Sequence, residues 1–338
     1  YGVGFKLASI SQVKRLEIYT RPAYLSAHEE KTDDGTTWVM ADENVDGRVF
    51  MTYLDLNEID RGEQKTYCVT EVADFPEEFA HMVPKGETGT IIVWRDADRL
   101  NHEQSYAETV DEKLHTIRDF LRRAYRVHID KGLEIFLQKD EQPLFPYDPL
   151  FKLENPEAIE VGVDADGRTF DMTGELVDTG PITIDGETVE WEVRLTPRIT
   201  RLKEGGGGVE GPQGRLQFKR LRIPDNEGRI SFLRCGREIS YAQVPRMLPG
   251  GRDKVDRYMG IEVSFPPSLD EYFQVKHIKR GAEPVEKLRA ELRKALSKPV
   301  QTARKRIRSL WAESRKNDPQ QPTNGGRTTA EQVAAKQE

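Results

Sequence analysis

The chain has 338 residues and a formal net charge of -7, with 32% charged and 36% hydrophobic residues. This length accommodates two domains of ordinary size. No apolar run approaches the about 20 residues of a membrane helix, and no metal-binding histidine motif occurs, so we expect no membrane contact and no protein-held metal. Cys68 and Cys235 form no C-x-x-C pair, which argues against disulfides and favours the cytoplasm.

Residues 1–150 show a mixed α/β pattern. Glycines open a loop at Gly2 and Gly4, and a helix start is expected over Phe5–Val13. Apolar residues spaced by three and four predict an amphipathic helix over Tyr106–His128 that covers a sheet. The prolines of Pro143–Pro149 place a domain boundary near Phe151. The predicted strands are Arg15–Thr20, Thr36–Met40, Arg48–Leu54, Lys65–Val72, Thr90–Trp94 and Leu133–Leu137.

Residues 151–283 are rich in strand signals. Asp185-Gly186 and Asn226-Glu227-Gly228 are predicted hairpin turns. The glycine run Gly205–Gly208 has no Lys in P-loop spacing after it, so we interpret it as a flexible loop. The predicted strands are Ala158–Val163, Pro181–Ile184, Val189–Leu195, Gly214–Ile223, Arg229–Arg234 and Gly260–Phe265.

The C-terminal region is helical and basic. From Pro284 to Lys316 there are eleven Lys or Arg residues against three Glu, and Pro299 is expected to kink or split the helix. The composition after Asn317 predicts a disordered tail. The expected divisions are therefore 1–150, 151–283, 284–316 and 317–338.

The opening glycines could contact an anion. Gly2-Val3-Gly4 at the mouth of a helix would offer unobstructed backbone amides, and the helix start adds positive partial charge. On these residues alone, a simple turn is the commoner meaning of two glycines.

Two segments resemble nucleotide motifs of the GHKL ATPases, the class that contains DNA gyrase B subunits, heat-shock chaperones, MutL and MORC. Tyr1–Ser11, followed by a strand, resembles the end of the third motif, the ATP lid. Gly89–Trp94 resembles the fourth, in which a Gly-Thr pair starts a central strand and the Thr hydroxyl supports the adenine-binding carboxylate. The resemblance implies these ATP-binding residues: Gly2, Val3, Gly4, Phe5, Lys6 and Thr90.

The resemblance continues into the second half. Arg229–Arg237 looks like the strand and turn of the transducer domain of MutL and MORC, with Cys235 where Asn is expected. Gly260–Phe265 and then His277–Arg280 resemble the strand and loop that deliver a lysine to the terminal phosphate of ATP. This implies phosphate sensing by Lys279, with Lys276 as second choice, against the alternative of a lysine on a solvated loop.

The implied fold class is α+β. It comprises the C-terminal part of a GHKL (Bergerat-type) α/β sandwich, a β-rich transducer-like domain and C-terminal helices. The likeness is closest to bacterial MORC- and MutL-like ATP-binding proteins, and it covers roughly Tyr1 to Arg315.

The family's general-base Glu, its magnesium-binding Asn and its Asp-x-Gly-x-Gly adenine loop all precede the lid. This chain begins at Tyr1, and Asp33-Asp34-Gly35 comes too late and lacks the second glycine, so it is interpreted as a hairpin turn. We therefore expect an N-terminally truncated chain. Its full-length form would use ATP and Mg²⁺, with the magnesium ligand upstream, while this fragment would not hydrolyse ATP at a useful rate.

The implied function is a nucleotide-gated switch that dimerises around ATP and acts on DNA in repair, compaction or defence. Basic residues near Trp311 could contact nucleic-acid phosphates, although a solvated helix face is the commoner meaning; they are Arg304, Lys305, Arg306 and Arg308. Two alternatives stay open: a chaperone-like ATPase with protein clients, and a non-catalytic interaction scaffold that has lost nucleotide binding.

Overall fold

The computed structural model describes residues 3–31, 37–45, 47–97, 110–137, 140–161, 171–197, 219–273 and 285–316. The chain divides into two compact units, Tyr1–Glu108 and Thr109–Glu338. Both combine helices with sheets, so the mixed α+β class is confirmed. The division falls earlier than the boundary expected near Phe151, because the helix over Val110–Ala124 packs on a strand of the second unit.

The first unit is built on a four-stranded antiparallel sheet in the order β5-β4-β1-β6. Asp55 caps the short helix that follows β4, since its Oδ1 accepts from the backbone N–H groups of Asn57 and Glu58. The elements of the sheet and its helices are α1 (Val3–Ile10), β1 (Arg15–Arg21), β4 (Val49–Asp55), α2 (Leu56–Asp60), β5 (Thr70–Val72) and β6 (Gly89–Arg95).

In sequence order, β1 is followed by a separate two-stranded hairpin that precedes β4. It consists of β2 (Ala23–Lys31) and β3 (Thr37–Val45), paired antiparallel. The sequence predicted a strand over Thr36–Met40 but missed β2, whose residues lack a run of β-branched side chains. The predicted turn at Asp33-Asp34-Gly35 lies outside the described residues.

The two faces of β6 differ in exposure. Ile91 and Val93 are buried and pack with Val49 and Phe75, which form the small core of this unit. Ile92 and Trp94 point to the other face, as strand alternation requires, and are 48% and 44% exposed. We call the side of β6 that carries Thr90, Ile92 and Trp94 the open face.

The second unit holds a five-stranded sheet in the order β10-β9-β11-β8-β7. Only β9 and β11 pair in parallel; the other neighbours are antiparallel. Its elements are α3 (Val110–Ala124), α4 (Arg126–Asp130), α5 (Pro156–Val161), β7 (Glu175–Ile184), β8 (Glu187–Leu195), β9 (Arg229–Arg234), β10 (Arg237–Gln243), β11 (Met259–Phe265) and α6 (Glu286–Lys316).

Helix α6 completes the core of the second unit. It presents a fully buried apolar stripe with helical spacing to the apolar side of the sheet: Leu288, Leu292, Leu296, Val300, Ala303 and Ile307. The predicted split at Pro299 is wrong, because a single helix runs through it. Proline removes one backbone donor, but Leu296 and Val300 on either side of it are both held in the core, which keeps the two halves in one helix.

Several local predictions are corrected. The strand expected over Ala158–Val163 is instead helix α5, because Asn155 caps it by accepting from the N–H of Glu157 and Pro156 occupies its first position. Leu133–Leu137 forms no strand. The long helix ends at Ala124 and resumes as α4.

Other predictions hold only in part or lie outside the described residues. Lys65–Val72 yields a strand only from Thr70. In Gly214–Ile223, the described residues 219–223 form the end of a helix, a turn and the start of a 3-10 helix rather than a strand. The Gly205–Gly208 loop and the tail after Asn317 are not among the described residues.

Candidate functional site

The lid-like segment forms a helix that leads directly into the sheet. Helix α1 begins at Val3 and includes Gly4, whereas Gly2 lies outside the described residues. The backbone carbonyl of Ser9 accepts from the N–H groups of Gln12 and Val13, which ends the helix just before β1. The predicted helix and strand are therefore present in that order, but Gly4 lies within the helix rather than in a loop before it.

The two side chains predicted to bind nucleotide on α1 are accessible. Phe5 is 43% exposed. The Nζ atom of Lys6 lies 4.3 Å from the centroid of the Tyr67 ring, a cation–π contact. No sequence pattern indicated that Tyr67, far along the chain, would be its neighbour.

Thr90 lies next to the strand that follows the lid-like helix. Strands β1 and β6 pair so that Thr20 stands opposite Thr90, and their hydroxyl oxygens are 3.0 Å apart. Thr90 is exposed, and its hydroxyl meets a threonine rather than a carboxylate. Among the described residues β6 is an edge strand, whereas the resembled motif starts a central one.

Close packing explains why position 89 is a glycine. A Cβ at this position would approach Cγ2 of Val83 to 2.7 Å. The turn before it is held by Arg21, whose guanidinium donates to the carbonyls of Pro84 and Glu87. The Gly-Thr pair is therefore explained in part by the close packing of this turn.

On the face of β1 opposite Thr20, both oxygens of the Glu17 carboxylate accept hydrogen bonds. Glu17 accepts from Nε of Arg15 at 2.7 Å and from Nε of Arg95 at 2.8 Å, and the Tyr19 hydroxyl donates to it at 3.2 Å. Burial raises the pKa of Glu17, but the hydrogen bonds from the two arginines outweigh burial and hold the pKa below its usual value. Glu17 is thus an ionised structural group, with no free oxygen for general-base work.

The residues on either side of the segment that carries Lys279 pack in the core of the second unit. Residues 274–284 lie outside the described residues, so Lys276 and Lys279 are not placed. A backbone hydrogen bond joins the two sides of this segment: the N–H of Val285 donates to the carbonyl of Tyr272 at 2.8 Å. Phe273 is fully buried and stacks on Phe265 of β11 with 3.6 Å between ring centroids. Both ends of the predicted phosphate-sensing loop are therefore anchored.

A buried ion network, which the sequence did not indicate, covers the polar side of the five-stranded sheet. Arg126 is 1% exposed, and its Nη2 donates to Glu262 at 2.6 Å and to the Ser231 hydroxyl at 2.8 Å. Its Nη1 donates to Glu238 at 3.0 Å, and Asp148 lies 3.5 Å from its Nε. One guanidinium thus binds α4 to β9, β10 and β11.

Lys152 extends this network. Its Nζ donates to Glu262 at 2.6 Å and to Glu192 at 3.1 Å. Burial raises the pKa of Glu262, but the charges of Arg126 and Lys152 outweigh it and hold that pKa below its usual value. Arg123 and Arg194 pair with Glu238 and Glu192, so cations and carboxylates offset one another, although Nε of the buried Arg126 has no hydrogen-bond partner. The arrangement therefore links elements of the fold and leaves no carboxylate unpaired for chemistry.

The predicted DNA-contact cluster is largely engaged within the protein. Arg304 is buried and makes a bidentate pair with Asp256, with Nε to Oδ1 at 2.7 Å and Nη2 to Oδ2 at 2.8 Å. Arg308 pairs with Asp253. Trp311 packs edge-on against Tyr258, with ring centroids 4.9 Å apart. Neither Arg304 nor Trp311 is therefore available to nucleic acid.

Two properties of the described residues concern metal binding and membranes. No group of three His, Cys, Asp or Glu side chains in that part of the chain could hold a metal ion. None of its helices combines the length and apolarity needed to cross a membrane.

No protein-family model matches the sequence. No curated protein matches it either. Among solved structures, the chain is similar to the B-subunit of the DNA gyrase from Myxococcus xanthus, with 12% sequence identity and a TM-score of 0.36 over 90% of this chain and 72% of that chain. Agreement at this level carries no argument about function.

Proposed function

We propose that this chain is part of a GHKL-type ATPase and contributes the lid end, the Gly-Thr strand and a transducer-like unit to a nucleotide-gated switch. One observation supports this most: the hydrogen bond between Thr20 and Thr90 joins the strand after the lid-like helix to the strand of the second resembled motif. Two short resemblances that are distant in sequence are thus neighbours in one sheet.

The open face of β6 is a second support. Ile92 and Trp94 are each more than two-fifths exposed on a sheet whose other face is packed. Large apolar side chains grouped on a sheet face commonly mark a surface that another layer covers. In our proposal, a further part of the same ATPase supplies that layer, together with the family's general-base Glu, its magnesium-binding Asn and its adenine loop.

The roles proposed for this chain are binding and sensing. Mg-ATP, when bound, would supply the phosphoanhydride to be cleaved. The backbone amides of Gly2 and Gly4 would bind its phosphates at the start of α1, and the exposed Thr90 hydroxyl would support the adenine site. The ammonium of Lys279 would report the terminal phosphate to the second unit. Closure would produce a cytoplasmic homodimer acting on DNA, and the fragment alone would not hydrolyse ATP.

The test uses the longer gene product that includes the residues encoded before Tyr1. Mg-ATP binding is measured by fluorescence titration, and hydrolysis by phosphate release, for the wild type, Thr90→Val and Lys279→Met. Thr70→Val is the matched control, because it makes the same change on the exposed edge strand β5. We expect at least a tenfold loss of binding for Thr90→Val, at least a tenfold loss of turnover for Lys279→Met, and no change for the control.

Either of two results would reject the proposal. One is an upstream sequence without the E-x-x-x-N helix and the Asp-x-Gly-x-Gly loop. The other is a longer protein that binds no nucleotide, which would favour an interaction scaffold. Lysine-dependent ATP turnover by the present chain would contradict its predicted inactivity.

A further inference from the structure

The outer side of α6 carries a row of lysines that make no ion pair, although Glu291 is exposed one turn before the first of them. Lys294, Lys298 and Lys305 are exposed, and none has a hydrogen bond or ion pair within the described part of the chain. At 3.6 residues per turn they fall within roughly 40° of one another around the helix axis, about 6 Å and 10 Å apart along it. We call these three residues the lysine ridge.

The ridge is opposite the buried stripe of α6. Leu292, Leu296 and Ala303 are fully buried on the side that packs on the sheet. The ridge therefore stands at the greatest distance from the sheet, on a helix fixed in place by its core face. Lysines four residues apart repel each other by a few tenths of a kcal/mol, so this row does not serve the stability of the helix.

Three basic residues of α6 outside the ridge are paired with acidic groups, whereas Arg293 is exposed without an ion pair in the described part of the chain. Lys287 pairs with Asp185, Arg306 with Glu175, and Arg308 with Asp253. These acidic partners neutralise cations near both ends of α6, while the middle stays unbalanced in a chain of net charge -7. The positive potential of the helix is therefore concentrated on the ridge.

We propose that the lysine ridge binds the phosphate backbone of double-stranded DNA. The surface suits an electrostatic contact, because no large apolar side chain of the described part of α6 is exposed. A protein partner would need an apolar centre to its interface. Insertion of α6 into a membrane interface would need the apolar side of the helix, which is buried in the core. Ammonium groups along one side of a rigid helix can contact successive phosphates of a duplex.

This inference takes its DNA client from the proposed function, but it assigns contact to residues other than the buried Arg304. Its test therefore uses no nucleotide. Fluorescence anisotropy measures the binding of the full chain to a labelled 20-base-pair duplex at 50 to 200 mM salt. The ridge variant is Lys294→Gln, Lys298→Gln and Lys305→Gln combined. Gln is also a good helix former, so circular dichroism should be unchanged.

The matched control removes the same charge from exposed lysines elsewhere: Lys65→Gln, Lys85→Gln and Lys131→Gln. We expect the ridge variant to bind the duplex at least about tenfold more weakly at 100 mM salt, with the slope of log affinity against log salt smaller by about one per lysine. The control should lose much less in both measures.

Three outcomes would overturn the proposal: no duplex binding by the wild type, equal losses in the ridge and control variants, or a ridge-dependent attachment to phosphatidylserine vesicles without duplex binding. Failure here is distinguishable from failure of the proposed function. A chain that binds the duplex through the ridge, in a protein whose longer form binds no nucleotide, would reject only the ATPase assignment.

Discussion

The two sheets of this protein are covered in different ways. The five-stranded sheet has α6 on its apolar side and a buried ion network on its polar side. The four-stranded sheet has a core on one side, around Val49 and Val93, and leaves Ile92 and Trp94 exposed on the other. The second unit thus meets its packing requirements within the chain, while the first presents a face suited to a further layer.

The ion pairs of the two units are expected to contribute differently to the free energy of unfolding. Glu262 and Arg126 are almost wholly buried, whereas Arg95, which pairs with Glu17, is 38% exposed on its side chain. A buried charge that loses its partner is strongly destabilising, while an exposed cation is replaced by water at little cost.

The largest expected effect comes from Arg126→Met. It would leave Glu238 and Glu262 without their shared guanidinium, and we expect the free energy of unfolding of the second unit to fall by about 3–5 kcal/mol. Urea unfolding measures the loss, and hydrogen exchange of the β11 amides assigns it to this unit. The comparison variant Arg95→Met should cost at most about 1 kcal/mol, since Arg15 still holds Glu17. Equal losses would show that burial does not distinguish the two networks.

A second pair of variants tests the covered and open faces directly. Leu292→Ala removes a fully buried side chain and should cost about 2–5 kcal/mol, because it leaves a cavity under α6. Ile92→Ala, on the open face, should change stability by no more than about 0.5 kcal/mol in the isolated chain. Urea midpoints measure both. A large loss for Ile92→Ala would mean that the open face already packs against something in solution.

The smallest expected effect is a gain. Cys235 and Gly236 link β9 to β10 with φ of 51° and 77°, and Asp185 and Gly186 link β7 to β8 with φ of 48° and 85°. Asn tolerates this left-handed conformation better than Cys, so Cys235→Asn should raise the free energy of unfolding by about 0.5–1 kcal/mol. Asp185→Asn is the control and should be close to neutral, since Asp already suits the turn and its ion pair with Lys287 is exposed. A loss for Cys235→Asn would point to a specific contact of the thiol.

The sequence predicted regular elements well where local signals were strong. The hairpin around Asp185-Gly186 and the strand Arg229–Arg234 formed as expected, because turn chemistry and alternation act over a few residues. It failed at Ala158–Val163, where the Asn155 cap and Pro156 outweighed an apolar pattern. The candidate site was predicted only as separate motifs, and the Thr20–Thr90 contact depends on strand pairing that no local signal specifies.

The α+β composition, the amphipathic C-terminal helix and the order of the nucleotide-like motifs can be predicted from the sequence, since each depends on neighbouring residues. Which cations are left without an acidic partner depends on tertiary packing. Arg304 and Lys305 are adjacent and equally basic in the sequence, yet one is buried against Asp256 and the other is exposed on the ridge. Side chains on a helix diverge by about 100° per residue, so packing on one side assigns neighbouring charges to opposite roles.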